Sequence, residues 1–288
     1  MTRSAPPPLI LLLALIWGCG GSGGGSGVPA GVDPARAPTP AEGLGAGTGA
    51  AWYYRLPSLT RYRITRVDSL AMGQGASARP QVSAKVAHVT VRSEAGNRLS
   101  VSLDSVNAPA GSRLSHAAVD SVRGLRWESA STPRGKSAPF RASVRTVLAE
   151  QLGQALDLLF QQLPSNGVRV GDDWSDSEQV DLHLDAFTAR QTVSREVRAT
   201  TPPRAGQGIG LEVSADLTRK GTAMQGGVRM QLDGSGKRVA SYRLAPGGWP
   251  AQMTARDSLS LTVRTGDGST VPVVWITQLV VESNAPGR

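Results

Sequence analysis

The sequence predicts a mainly β fold of α+β type: a large curved antiparallel sheet or half-barrel, built from two meanders, with one long amphipathic helix packed on it. Three observations carry this. Apolar residues at Val144, Val147, Leu148, Leu152, Ala155, Leu156, Leu159, Phe160 and Leu163 fall on one stripe of a 3.6-residue period, so residues 143–163 form a helix with one buried face. On both sides of it, short runs alternate apolar and polar residues at period two, as half-buried strands do. These runs group into two strand-rich stretches, 52–130 and 168–283, and a helix with one apolar stripe needs a sheet face to cover.

The fold begins near Trp52. Tyr62 to Val67 is rich in β-branched and aromatic residues and reads as a strand, and Gly73 to Pro80 as a loop. Val82, Ala84 and Val86 then share one phase and Val89 and Val91 the other, a slip at Ala87-His88 that predicts a β-bulge or a sharp bend. Glu94 to Asn97 is a turn, Leu99 to Leu103 the returning strand, Asn107 to Gly111 a break, Val119 to Ser129 a further strand and Ser131 to Pro139 an exposed basic loop. Ser143 is the expected N-cap of the helix, and Pro164 with Asn166-Gly167 its stop. At about 31 Å such a helix crosses six or seven strands.

The second stretch runs through Val193–Val197, Ile209–Leu217, Val228–Leu232, Ala240–Leu244, Leu259–Val263 and Val271–Val281. Asp233-Gly234-Ser235-Gly236 and Gly266-Asp267-Gly268-Ser269 carry hairpin-turn chemistry. The last strand is apolar at both phases, which predicts a central position or burial on both faces.

The first fifty residues are of a different kind. Arg3 precedes the apolar run Leu9 to Trp17, too short to cross a bilayer comfortably and arranged as a cleaved signal. Ile16-Trp17-Gly18-Cys19 resembles the bacterial lipobox, with Trp17 bulkier than that pattern usually has. The resemblance implies that residues 1–18 are a lipoprotein signal peptide and that Cys19 becomes the lipid-bearing first residue of the mature chain. Cys19 is the single cysteine, so its modification leaves no thiol for a disulfide, metal site or nucleophile. After it, residues 20–51 are Gly-, Ser-, Ala- and Pro-rich and read as a disordered tether with a root-mean-square span of about 30 Å. Residues 52–288 form a single β-rich domain. This part resembles uncharacterised bacterial envelope lipoprotein families with two β-meanders flanking one helix and a V-x-V-G-D-x-W element, here Val168 to Trp174. More distantly it is similar to the half-barrels of lipoprotein carriers, which hold acyl chains beneath more helices than the one found here.

The formal charge is +9, and since only Lys85, Lys136, Lys220 and Lys237 are lysines, 27 of the 31 cations are arginine. Arg61, Arg63, Arg66, Arg195, Arg198, Arg219, Arg229 and Arg238 are scattered singly along strands and read as solvated strand faces; an attraction to anionic lipid is the alternative, and no nucleic-acid partner is expected. His88, His116 and His183 are too far apart in sequence for a metal-binding spacing. No G-x-S-x-G, S-x-x-K or Walker sequence occurs, so the expectation is a protein that is not an enzyme and takes no cofactor or metal. The acidic cluster Asp172, Asp173, Asp176, Glu178, Asp181 and Asp185 lacks the alternate-residue spacing of an EF-hand loop. It reads as solvated carboxylates around a Gly171-Asp172 turn, with Trp174 packing inward. Gly206 to Gly210 lacks the parallel strand and helix of a phosphate loop and reads as a loop before a strand.

The functional expectation is a membrane-anchored, non-catalytic envelope lipoprotein, on the outer membrane facing the periplasm where the cell has one. Two readings stand. In one, a lipid or other apolar ligand is held between sheet and helix, with Leu152, Leu156, Leu159, Phe160 and Trp249 as the contacting residues. In the other, the core is filled and the protein is structural or binds an envelope protein partner. Trp52, Trp127, Trp174, Trp249 and Trp275 read mainly as core, with Trp249 between Gly248 and Pro250 the most exposed.

Overall fold

The computed structural model describes residues 48–73, 80–94, 97–109, 119–120, 122–184, 187–201, 208–225 and 228–284. Cys19, the tether through residue 47, His116, Asp185 and residues 206–207 lie outside them.

In chain order the elements are β1 (Thr48–Trp52), β2 (Leu59–Met72), β3 (Gln81–Glu94), β4 (Arg98–Asn107), β5 (Arg126–Thr132), β6 (Gly135–Lys136), β7 (Arg141–Ala142), the helix α1 (Val147–Leu159), β8 (Val168–Val170), β9 (Asp173–Leu184), β10 (Phe187–Thr200), β11 (Ile209–Gln225), β12 (Val228–Leu244), β13 (Pro250–Arg264) and β14 (Thr270–Ser283). β1 pairs only with β8. All the other strands belong to one 12-stranded antiparallel sheet in the order β6-β5-β4-β3-β2-β14-β13-β12-β11-β10-β9, with β7 alongside β5. The sheet does not close into a barrel.

This order is two meanders joined at their inner strands. The first runs from β2 outwards to β6; α1 then leads the chain across to the opposite edge, where β9 begins a second meander running back to β14. The pairing of β14 with β2 is the seam, from Val273↔Met72 to Ser283↔Tyr62. The last strand is therefore central, as its composition predicts. Its outer face is not buried, however: Val274 is 43% exposed.

The inner face carries the core. On β2 the buried residues alternate strictly, Tyr62, Ile64, Arg66, Asp68 and Leu70, while Arg61 and Arg63 point outwards. A large apolar cluster lies under α1 and includes Tyr62, Ile64, Val89, Leu99, Trp127, Trp174, Val197, Leu211, Tyr242, Met253 and Val281. A second cluster, including Leu70, Val193, Leu217, Met230, Leu259, Leu261 and Val273, sits towards the other end of the strands.

The helix is shorter than its apolar stripe suggests. Thr146, in extended conformation, is the N-cap, and its Oγ1 accepts from the Ala149 N–H at 3.1 Å. Ser143 is engaged elsewhere: its hydroxyl accepts from the Arg126 N–H, and its own N–H donates to the Arg126 carbonyl, so residues 143–146 belong to the β7 side. At the other end Phe160 leaves the helix, and the Leu163 N–H donates to the Arg134 carbonyl at 2.8 Å. Thirteen residues span about 20 Å, about four strands rather than six or seven. Phe160 and Leu163 remain buried beyond the end of the helix, and Val144 is 46% exposed.

Four further expectations are revised. Asp233 to Gly236 is no hairpin turn but the middle of the continuous strand β12. A Cβ on Gly234 would lie 2.2 Å from the Ser260 carbonyl oxygen, and one on Gly236 2.0 Å from that of Ser258. These glycines therefore serve a close approach of β13, as at tight bends of curled sheets. The bulge near His88 is real but belongs to β4: pairing jumps from His88↔Ser105 to Val89↔Leu103, leaving Asp104 as the extra residue. Residues 119–120 are helical and 122–124 form a turn with Gly124 at φ +73°, and the strand begins only at Arg126. The stretch 131–139 is not an exposed loop, since it contains β6, buries Ser131 and Gly135, and ties Lys136 to Asp157 of α1 at 2.8 Å. The turn at Gly266 to Ser269 lies where expected, between β13 and β14, with Thr265 N–H donating to the Ser269 carbonyl.

Candidate functional site

Three places can bear function: the space between sheet and helix, a belt of charges inside the sheet, and an open groove on its outer face. Of the residues expected to contact an apolar ligand, Leu152, Leu156, Leu159 and Phe160 all lie in the apolar cluster beneath α1, each with at most 1% of its surface exposed. The packing there is close. Trp127 lies against the helix at Gly153, where a Cβ would come within 3.3 Å of its Nε1, and that Nε1 donates to the Ala149 carbonyl. Trp249 is elsewhere, half-buried in the β12–β13 connection against Gly247. Trp127 and Trp174 are core, while Trp52 and Trp275 are half-buried like Trp249.

Next to the apolar cluster, the inward positions of the same strands become charged. Arg66 Nε and Nη2 donate to the Asp68 carboxylate at 2.9 and 3.0 Å, and Thr277 Oγ1 donates to it at 2.8 Å. Lys85 Nζ lies 3.4 Å from the same carboxylate and also donates to the Gln151 side chain on α1. Burial pushes the Asp68 carboxyl upwards, but Arg66, Lys85 and Thr277 more than offset it and bring it down to about 2. Lys85 is brought down to about 8 by burial, with Arg66 adding to the effect and Asp68 opposing it.

The belt continues across the second meander. Arg238 grips Asp257 with two bonds of 2.7 and 2.6 Å, and Arg195 pairs with Asp176 and Glu178. Arg219 donates to the Gln191 amide oxygen and lies over the Trp275 ring at 5.1 Å, a cation–π contact. Burial lowers its guanidinium to about 10. Arg66, Arg195, Arg219 and Arg238 are thus interior groups rather than solvated ones, whereas Arg61, Arg63, Arg198 and Arg229 are exposed as expected. The same correction applies to part of the acidic cluster, since Asp173 and Asp181 are exposed as expected. Trp174 does pack inward beyond the Gly171 turn, but Asp172 is 2% exposed and accepts from the Arg169 N–H, and Asp176 faces the interior. Their signal in the sequence is polar residues at the apolar phase of a strand.

The outer groove has a volume of about 940 Å³ and lies behind the helix-covered core, across β9 to β14. Strand registers set its side chains in rows. One row runs Arg198, Glu212, Ser241, Thr254 and the next Glu196, Ser214, Val239, Arg256. The centre is floored by short side chains, with the Ser241 and Thr254 hydroxyls 2.7 Å apart and Val239 60% exposed. Asp173 and Arg198 approach to 3.7 Å at the rim. No periodicity marks these residues, because they meet only through pairing of four strands.

His88 faces outwards, with Nδ1 3.1 Å from the Ser105 hydroxyl. Among the described residues no group of three His, Cys, Asp or Glu could hold a metal ion, and no helix is long and apolar enough to cross a membrane. The chain matches no protein-family model and no curated protein.

Proposed function

We propose that the protein is a lipid-anchored protein of the bacterial cell envelope, held through Cys19, that acts as a non-catalytic binding module with a filled core. Partners dock on the outer face of its sheet. One observation carries the choice between the filled core and the lipid carrier: the apolar stripe of α1 from Leu148 to Leu159 is sealed in the core, with Leu152, Leu156 and Leu159 at 0% exposure, while the open concavity lies on the opposite face of the same strands. The anchor is supported by Ile16-Trp17-Gly18-Cys19 together with the Gly-rich stretch that follows. An outer-membrane address facing the periplasm belongs to the same proposal.

Two measurements test it. The Cys19→Ser chain is expected in the detergent-free soluble fraction; if it still sediments with membranes, the anchor is not at Cys19. Native mass spectrometry of that soluble chain is expected to give the bare mass and no uptake of fluorescent fatty acid. A reproducibly co-purified lipid that Leu156→Trp displaces would restore the carrier.

A further inference from the structure

The charges of the outer groove are not evenly mixed. Glu196 and Glu212 stand on β10 and β11, beside the Asp173–Arg198 pair, and make no ion pair among the described residues. Arg256 on β13 makes no ion pair among the described residues and stands two strands from Glu212 and three from Glu196. Between them the floor is small and mildly apolar, with Ser214, Val239 and Ser241. An acidic end and a basic end are therefore separated by about 10 to 14 Å, two or three strand spacings.

We propose that this groove binds a short extended peptide that crosses the strands and carries a cation at one end, a carboxylate at the other and small side chains between. At about 3.3 Å per residue, three or four residues span the separation. The cation meets Glu196 and Glu212, the carboxylate meets Arg256, and a methyl-sized side chain rests on Val239. The three charged groups are solvent-facing, so their pairing with a ligand needs little desolvation; recognition comes from charge pattern and its affinity falls with added salt. The inference rests on the reading that ligands dock on the outer face.

The test uses the full chain and a blocked lysyl-alanyl-alanyl-glutamate peptide bearing an uncharged fluorophore, followed by anisotropy, with the glutaminyl-alanyl-alanyl-glutamine peptide as its neutral counterpart. Arg256→Gln is expected to weaken the charged peptide about two- to fivefold, the range of one exposed ion pair, and to leave the neutral one unchanged. Glu196→Arg with Glu212→Arg reverses the acidic end and is expected to weaken it further. Adding Arg256→Glu to that pair reverses the whole pattern, and binding is expected to return to within about twofold, because the peptide lies in the opposite direction. Equal binding of the two peptides, no effect of Arg256→Gln, or no recovery in the triple variant would each overturn the inference. No binding of either peptide overturns it alone, whereas lipid found beneath α1 strikes the reading on which it rests.

Discussion

Strand β2 passes through two interiors within ten residues. Tyr62 and Ile64 lie in the apolar layer beneath α1, and Arg66 and Asp68, on the same face, lie in the charge belt. All four are 6% exposed or less, so burial alone does not distinguish them. What differs is the source of stability. In the apolar layer every buried methylene contributes by leaving water, at about 25 cal/mol per Å². In the belt the attraction between ions is offset by the cost of stripping their hydration, and its net contribution is small while the network is complete. The layer holds the molecule together; the belt sets which arrangement of strands and helix is allowed, since Arg66 and Lys85 meet α1 only at Gln151.

That contrast can be broken most sharply at Asp68. Asp68→Asn leaves Arg66 and Lys85 buried beside a neutral amide, and urea unfolding is expected to show a loss of about 3–5 kcal/mol. Replacing the whole triad, Arg66→Met with Asp68→Leu and Lys85→Met, is expected to recover most of that loss. If the triple variant is as weak as the single one, the belt is a net source of stability and the contrast fails.

Leu156→Ala comes next, with about 2–5 kcal/mol lost because a fully buried site under α1 cannot collapse freely. An effect below about 1 kcal/mol would place that residue in a loosely packed site. A smaller effect appears in the pH dependence. Asp68 titrates in the fold at about 2, below its ordinary value, so its contribution is complete above about pH 4 and is lost as pH falls towards 2. Lys85 titrates at about 8, also below its ordinary value, so the unfolded chain binds the proton more tightly and stability rises between about pH 8 and 10. Asp68→Asn should flatten the acid limb of the urea midpoint and Lys85→Met the alkaline limb. The smallest effect is at the exposed Asp173–Arg198 pair, where Arg198→Ala is expected to change stability by less than about 0.5 kcal/mol.

Legibility in the sequence followed the range of the interactions. Alternation along β2, β11 and β13 is a local pattern, and so is the Gly266 to Ser269 turn. The helix stripe was legible as well, but not the point where helix gives way to extended chain. Thr146 rather than Ser143 caps it, because Ser143 already has a partner in Arg126, seventeen residues away. Gly234 and Gly236 misled for the same reason. Their composition is that of a turn, and only the backbone of β13 beside them gives them another use. The arginines of the belt read as surface in the sequence because a single strand does not show what faces it.

By itself the sequence determined a mainly β architecture of two meanders around one amphipathic helix, since periods of 2 and 3.6 residues are written into neighbouring positions. Only the tertiary structure decided that β14 joins β2, that half the scattered arginines lie inside, and that Glu196, Glu212 and Arg256 share a groove. Each of these depends on which strands lie side by side, and strand order is set by the burial of the whole sheet rather than by any residue's neighbours in the chain.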